Sequence, residues 1–213
     1  SQKQRFAVFG HPIAHSLSPR LHALFAAQYG IELEYAAVAA SPERFADIAR
    51  AFFAGGGRGA NVTLPDKRLA FEFADAHSQA ARRAGVANVL TRLAYARLAA
   101  HNTDGAGLIR DLRQRHRIEP QGRRVLLLGA GGAARAAAWA LLDAGVRELI
   151  LANRTPPRAA ALAEALAQPR RVCVSEWNEL DRCAAFDLVL NATSAGVLGV
   201  AMELPRSLVS ATT

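Results

Sequence analysis

The most informative part of this chain reads Val125-Leu126-Leu127-Leu128-Gly129-Ala130-Gly131-Gly132-Ala133-Ala134. Its apolar run predicts a buried strand over residues 124–128, and the alanine-rich residues 131–144 predict a helix directly after it. The glycines between them fit G-x-G-x-x-A, which permits a tight turn and lets a pyrophosphate rest on the amides at the helix N-terminus. A strand before this pattern and a helix after it predict a dinucleotide-binding unit, with cofactor contacts from Gly129, Ala130, Gly131, Gly132 and Ala133.

The next predicted strand, residues 148–152, indicates which dinucleotide binds. Such a strand normally ends in an acidic residue when the cofactor is NAD, because a carboxylate accepts hydrogen bonds from the ribose 2′-hydroxyl. Here it ends in Asn153-Arg154-Thr155, with Arg158 one turn later, and a guanidinium suits a 2′-phosphate. We therefore expect NADP, although a helix N-cap at Thr155 followed by solvated arginines would give the same pattern.

A third predicted strand, residues 186–190, runs into Asn191-Ala192-Thr193-Ser194-Ala195-Gly196. Small polar residues at the carboxyl edge of such a sheet suit the ribose and nicotinamide of the cofactor. Thr193 is therefore added to the predicted cofactor-binding residues Asn153, Arg154, Thr155 and Arg158.

Short apolar segments alternate with helical patterns along the whole chain, which predicts an α/β fold with largely parallel strands. The loop 118–122 contains Pro120 and Gly122 and is a plausible hinge. We predict two domains with a cleft between them. Residues 1–104 form an α/β domain for substrate binding and catalysis, and residues 105–213 form a Rossmann-type NADP-binding domain. Further strands are predicted at 6–9, 33–38, 59–62 and 88–93, and further helices at 19–29, 42–53, 67–74, 105–115 and 156–166.

Four polar clusters in the first 105 residues lie at predicted strand ends or helix starts, where side chains of an α/β domain face one cleft. Each also has a purely structural interpretation. Ser18 before Pro19 is a common helix N-cap, Asn61 and Thr63 can satisfy a turn, and Asp104 can cap the helix that follows it. The clusters are His15-Ser16-Leu17-Ser18-Pro19, Asn61-Val62-Thr63-Leu64-Pro65-Asp66-Lys67, Asn88, and Asn102-Thr103-Asp104-Gly105.

Composition narrows the class of partner. The 213 residues carry a net charge of +8, but the arginines are scattered and no basic run interleaved with aromatics suggests nucleic-acid binding. No apolar run approaches the roughly 18 residues of a membrane span, and the N-terminus lacks a signal-peptide pattern, so we expect a cytoplasmic enzyme that binds no membrane. Cys173 and Cys183 are expected to be free thiols, and no cluster has metal-ligand spacing.

Taken together, these motifs resemble the shikimate dehydrogenase family, including its shikimate/quinate members. The resemblance implies reversible reduction of 3-dehydroshikimate to shikimate with NADPH, on the route to aromatic amino acids. It also implies that shikimate is contacted by Ser16, Ser18, Asn61, Thr63, Lys67, Asn88 and Asp104. The motifs that carry it are residues 9–13 with 15–19, 61–65 with Lys67, 85–88, 102–105, 129–133, 153–155 and 191–194.

The residue types suit this chemistry. Hydride transfer to a ketone leaves an alkoxide, so a group must supply a proton as charge develops. Lys67 and Asp104 are the predicted catalytic pair, and Lys67 is one of only two lysines in a chain that otherwise uses arginine. Arginine would serve poorly, since it is effectively untitratable.

Three features depart from the family pattern. Asp66 stands where an aromatic residue is usual and places a second negative charge beside Lys67, and Ala23 stands where asparagine is usual. Family members also continue beyond the position of Thr213, so we expect the NADP-binding domain to be incomplete at its C-terminal end. Broader use of quinate, or a non-catalytic ligand-binding relative, are the alternatives. A monomer and a homodimer both stay open.

Overall fold

The computed structural model describes residues 3–195, 202 and 204–209. The chain divides into two compact units, Ser1–Thr103 and Asp104–Thr213. Both are α/β, as predicted. Across the described residues, no helix is both long enough and apolar enough to cross a membrane.

The first unit is built around a six-stranded sheet with the order β2-β1-β3-β5-β6-β4. Strands β1, β2 and β3 are parallel, whereas β5 runs antiparallel to both β3 and β6. The elements are β1 (Gln4–Gly10), α1 (Ser18–Tyr29), β2 (Leu33–Ala39), α2 (Phe45–Ala54), β3 (Gly57–Val62), α3 (Lys67–Phe73), β4 (Ala76–His77), α4 (Gln79–Ala84), β5 (Val89–Arg92) and β6 (Leu98–His101).

The second unit is built around a four-stranded parallel sheet with the order β10-β7-β8-β9. Its elements are α5 (Asp104–Gln114), β7 (Arg124–Leu128), α6 (Gly132–Asp143), β8 (Glu148–Ala152), α7 (Pro156–Leu166), β9 (Val172–Val174) and β10 (Leu188–Asn191). Val125 and Leu127 of β7 pack into the same cluster as α6 and α7, whereas Leu126 and Leu128 pack with Leu180 and Phe186 on the other face. Burial on both faces explains the continuous apolar run, since a parallel strand covered on both sides has no polar face.

The core of the first unit combines alanines with phenylalanines. Phe9 of β1 lies edge-on to Phe45 of α2, with ring centroids 6.1 Å apart, and to Phe52, 5.4 Å away. Small residues such as Ala7, Ala60 and Ala100 leave room for these rings beside the sheet. Beside this core β1 pairs in parallel with β3, and the carboxyl ends of the two strands carry the motifs described below.

Several predicted elements need correction. Residues 76–77, 79–84, 98–101 and 172–174 form regular elements that were not predicted, because they are short and the alanines of β6 have little intrinsic strand preference. The antiparallel placement of β5 was also not predicted. Ser18 is not the N-cap of α1, since Leu17 occupies that position, and α5 begins at Asp104 itself. Thr155 is the N-cap of α7, but its side chain makes no capping hydrogen bond. Gly196, at the end of the third strand-end motif, lies outside the described residues.

Candidate functional site

One edge of the first sheet brings together three of the polar clusters. Asn61 of β3 pairs with Val89 of β5, and Val89 pairs in turn with His101 of β6. Because β5 is antiparallel, its N-terminal end lies at the edge where β3 and β6 end. The segments that carry Asn61, Asn88 and Thr103 are therefore neighbours at one edge.

Backbone hydrogen bonds extend this edge beyond the strands. Thr63 N–H donates to the Phe9 carbonyl at 2.9 Å, and Ala87 N–H donates to the Lys67 carbonyl at 2.8 Å. Asn88 N–H donates to the His101 carbonyl at 3.0 Å. The start of α3, and with it Lys67, is thus tied to the segment that precedes β5.

The side chains at this edge are also connected. Asn88 Nδ2 donates to Thr103 Oγ1 at 2.9 Å, while Thr103 N–H donates to Asn88 Oδ1 at 2.9 Å. Asn61 Nδ2 lies 3.4 Å from the Asn88 carbonyl, and Asn61 Oδ1 accepts from the Tyr35 hydroxyl at 2.6 Å. Asn102, by contrast, is buried and donates to the Val86 carbonyl at 3.2 Å, which is a structural role.

Gly10 allows the turn after β3 to approach the end of β1. A Cβ at this position would lie 2.6 Å from Thr63 Cγ2 and 2.9 Å from the Leu64 carbonyl oxygen. Any larger residue would push the turn that carries Thr63 away from β1. Thr63 itself is half-buried.

The two predicted serines lie in the turn that leads into α1. Ser16 Oγ accepts a hydrogen bond of 3.3 Å from the Ser18 N–H, and Ser18 is the first residue of α1. The Ser18 carbonyl accepts from Nδ1 of His22 at 2.9 Å. Since a carbonyl oxygen only accepts, this bond assigns the ring proton to Nδ1.

Asp66 has the most unusual environment of the residues beside Lys67. Its side chain is fully buried, and neither carboxylate oxygen has a hydrogen-bond partner among the described residues. Burial raises the pKa of Asp66 from 3.8 to about 6. The charge of Glu43 also raises this pKa, whereas the charge of His11 lowers it. Asp66 therefore fills an interior position, where the neutral acid is favoured.

Sequence patterns did not single out Tyr35 or His22. The two rings stack with centroids 4.0 Å apart and planes inclined by 14°. Tyr35 lies within a predicted strand and His22 within a predicted helix, so nothing in either pattern marked a connection to Asn61. Only the pairing of β1 with both β2 and β3 brings Tyr35 within reach of Asn61.

In the second unit, the predicted nucleotide-binding turn follows β7 and lies beside the turn that follows β10. Strand order reverses here, since β8 lies on one side of β7 and β10 on the other, and such a reversal forms the binding crevice of parallel α/β sheets. Gly129 has φ +110°, and a Cβ there would lie 2.9 Å from the Ala192 carbonyl oxygen and 3.2 Å from Thr193 N. Glycine therefore lets the first turn contact the turn after β10.

The helix start behind this turn has room for a ligand. Gly131 is the N-cap of α6, and a Cβ there would meet no atom within 4 Å. Gly132 and Ala133 form the first turn of α6, so their amides are available to an anion, while Ala130 packs against the core. These residues fit a dinucleotide pyrophosphate.

The residues predicted to choose the cofactor follow β8. Arg154, Thr155 and Arg158 are all exposed, and Asn153 Nδ2 donates to the Thr155 carbonyl at 3.0 Å. Thr193 Oγ1 donates to Asn191 Oδ1 at 2.7 Å, which orders the turn after β10.

The second predicted catalytic residue, Asp104, is the first residue of α5 and is half-buried.

No group of three or more His, Cys, Asp or Glu side chains with a metal-binding arrangement occurs in the part of the chain that the structure describes. The two cysteines, Cys173 and Cys183, are free thiols.

Comparison with known proteins identifies the family. Residues 8–90 match the shikimate dehydrogenase substrate binding domain, and residues 111–207 match the shikimate / quinate 5-dehydrogenase family. The chain is also 50% identical over 211 residues to shikimate dehydrogenase (NADP(+)) of Xylella fastidiosa strain M12, covering 98% of this chain and 74% of that protein. The chain belongs to the shikimate dehydrogenase family. The predicted family membership is thus confirmed.

Two solved structures share the fold. The shikimate 5-dehydrogenase of Thermus thermophilus, in complex with NADP(H) and shikimate, is 38% identical with a TM-score of 0.79, covering 90% of this chain and 69% of that chain. The Ael1 enzyme of Pseudomonas putida is 41% identical with a TM-score of 0.85, covering 97% of this chain and 75% of that chain. This chain therefore matches 69 to 75% of the length of these relatives.

Proposed function

We propose that the protein catalyses the reversible, NADP-dependent reduction of 3-dehydroshikimate to shikimate, a step toward the aromatic amino acids. The observation that carries this proposal is one edge of the first sheet, where backbone hydrogen bonds hold together the end of β3, the start of α3 and the start of β5. These segments carry Asn61, Thr63, Lys67 and Asn88. Membership of the shikimate dehydrogenase family supports the same reaction.

The substrate has a carboxylate and several hydroxyls, which require donors and acceptors of different kinds. We assign the carboxylate to the hydroxyls of Ser16, in the turn before α1, and Ser18, the first residue of α1. The amides of Asn61 and Asn88 suit the substrate hydroxyls, because hydrogen bonds within the protein orient both amides. The hydroxyl of Thr63, which can donate and accept, suits a further substrate hydroxyl. Asp104 is assigned to the reacting hydroxyl together with Lys67.

NADPH, when bound, would supply the hydride for the carbonyl carbon. As the carbon–oxygen π pair moves onto oxygen, the Lys67 ammonium gives that oxygen a proton, and it takes the proton back in the reverse direction. The Asp104 carboxylate orients the reacting oxygen and stabilises the positive charge of the lysine. This division of roles needs no metal ion.

We further assign the pyrophosphate to the amides at the start of α6, behind Gly129 and Gly131. The exposed Arg154 and Arg158, with Asn153 and Thr155, suit the 2′-phosphate that distinguishes NADP from NAD. Thr193, which follows β10, suits a contact with the nicotinamide end of the cofactor.

The second candidate is a broader shikimate/quinate dehydrogenase. It is favoured by the match of residues 111–207 to the shikimate / quinate 5-dehydrogenase family. A non-catalytic ligand-binding relative is the third possibility, which the presence of both Lys67 and Asp104 disfavours. Oxidation rates with shikimate and quinate, each with NADP and NAD, separate the three.

Lys67 provides the sharpest test of the mechanism. Positioned acid–base groups contribute about 10² to 10⁴ in rate, so Lys67→Ala should lower kcat by that order while the KM for NADP stays nearly unchanged. Lys67→Arg keeps the charge but cannot titrate, so kcat should again fall strongly. Lys3→Ala, which removes an exposed lysine, is the matched control. Near-normal turnover of the arginine variant would show that Lys67 contributes charge alone.

The proposal also includes a cytoplasmic location and action on small molecules rather than on nucleic acid or a membrane. Fractionation of cells that express the protein tests the location. Light scattering of the purified protein distinguishes the monomer from the homodimer.

A further inference from the structure

We propose that Tyr35 is a positioning residue that fixes the side-chain amide of Asn61, so that Asn61 offers its N–H group and not its oxygen to the substrate. This inference rests on the proposed function of the first unit. The observation behind it is the hydrogen bond of 2.6 Å that the Tyr35 hydroxyl donates to Asn61 Oδ1.

The sheet register explains how a residue of β2 reaches one of β3. Tyr35 pairs with Phe6 of β1, whereas Asn61 pairs with Val8 of the same strand. Phe6 and Val8 are two residues apart and therefore point to the same face of the sheet. Strands β2 and β3 flank β1, about 10 Å apart, and a tyrosine side chain is long enough to extend across that gap.

The ring of Tyr35 is itself held from the helix side. His22 of α1 stacks on it at 4.0 Å, nearly parallel. His22 is anchored in turn by the hydrogen bond of its Nδ1 to the Ser18 carbonyl at 2.9 Å. The turn that carries Ser16 and Ser18 is thereby connected, through two stacked rings, to Asn61.

The consequence for Asn61 follows from counting its donors and acceptors. An asparagine amide has one acceptor oxygen and two N–H donors. The oxygen is engaged by Tyr35, whereas Nδ2 lies 3.4 Å from the Asn88 carbonyl, at the outer limit of a hydrogen bond. At least one N–H therefore remains for a ligand, and the substrate atom that it contacts must be an acceptor.

The hydroxyl of Tyr35 remains a donor under all assay conditions. Burial raises the pKa of Tyr35 to about 12, so the phenol stays protonated well above neutral pH. Without this donor the Asn61 amide can rotate and present either atom to the substrate.

A double-mutant cycle tests the inference. Tyr35→Phe keeps the ring and its stack on His22 but removes the hydroxyl, and should raise the KM for shikimate about 3- to 10-fold, the range for loss of one neutral hydrogen bond. The KM for NADP should not change. Asn61→Ala should raise the KM for shikimate further, and adding Tyr35→Phe to it should have no additional effect, because Tyr35 acts through Asn61. Tyr29→Phe, at an exposed tyrosine of α1, is the control.

Two kinetic outcomes would overturn the inference: an unchanged KM in Tyr35→Phe, or fold-changes of the two single variants that multiply in the double variant. A second measurement needs no turnover. The chemical shift of the Asn61 side-chain amide should change in Tyr35→Phe and stay unchanged in Tyr29→Phe. An identical chemical shift in the parent and in both variants would overturn the positioning role. A parent protein that neither binds nor oxidises shikimate would instead overturn the proposed function, and the inference with it.

Discussion

Asn88 and Thr103 are joined by hydrogen bonds in both directions, from Asn88 Nδ2 to Thr103 Oγ1 and from Thr103 N–H to Asn88 Oδ1, each of 2.9 Å. This pair orients the Asn88 amide at the edge where we propose that shikimate binds. Thr103 was part of a predicted polar cluster, but its partner could not be identified from sequence. The geometry gives Thr103 the role of holding Asn88.

Replacing Thr103 with valine should therefore weaken substrate binding. Valine keeps the shape but removes the hydroxyl, so the KM for shikimate should rise about 3- to 10-fold while the KM for NADP is unchanged. Steady-state kinetics measure both constants. Thr91→Val removes the hydroxyl of an exposed threonine on β5 and is the matched control. A valine variant with the parent KM would mean that Asn88 is oriented without Thr103.

Arg154→Ala should change the choice of cofactor. Charge-assisted hydrogen bonds contribute about 1.5 to 3 kcal/mol, so the KM for NADP should rise roughly ten- to a hundred-fold and the KM for NAD should change little. Arg170→Ala is the control, since it removes the same charge beyond the opposite end of α7. Equal losses for NADP and NAD would rule out a contact with the 2′-phosphate.

Gly129 and Gly131 should respond differently to alanine. Gly129→Ala combines φ +110° with a contact of 2.9 Å to the Ala192 carbonyl oxygen, and should lower the free energy of unfolding by about 2 to 4 kcal/mol. Gly131→Ala meets no atom within 4 Å, so its free energy of unfolding should stay within about 1 kcal/mol of the parent while NADP binding weakens. Urea unfolding and cofactor titration separate the two effects. Similar stabilities of the two variants would contradict this account of Gly129.

Asp66 should make the stability of the first unit depend on pH. Its folded pKa is about 6 against an ordinary 3.8, so the folded state favours the neutral acid. The free-energy cost of ionising buried Asp66 is absent below pH 3.8, grows as the pH rises toward 6, and levels off above that pH. Asp66→Asn should therefore exceed the parent in free energy of unfolding at about pH 8 but not at about pH 4.

The control for Asp66 is Asp47→Asn, which neutralises an exposed carboxylate on α2. Urea unfolding between about pH 4 and pH 8 gives the difference in free energy between each variant and the parent. For Asp66→Asn that difference should grow with pH, and a constant difference would show that folding does not raise the pKa of Asp66.

The sequence by itself determined the second unit to a large extent. The strands at residues 124–128 and 148–152 and the helix at 156–166 occur with the predicted bounds, because a parallel strand buried on both faces is apolar throughout and Pro156 marks the helix start. The glycine pattern after β7 was equally informative, since only glycine has low-energy access to φ +110°. Ordered motifs were enough to predict the family.

The tertiary structure alone decided how the first unit is assembled. The antiparallel β5, the short β6 and the burial of Asp66 depend on which strands pair, and alanine-rich segments carry little information about pairing. The same holds for Tyr35, whose contact with Asn61 spans one intervening strand and 26 residues of sequence. Hydrogen bonds between residues far apart in the chain follow from strand order and register, and no local sequence pattern predicts them.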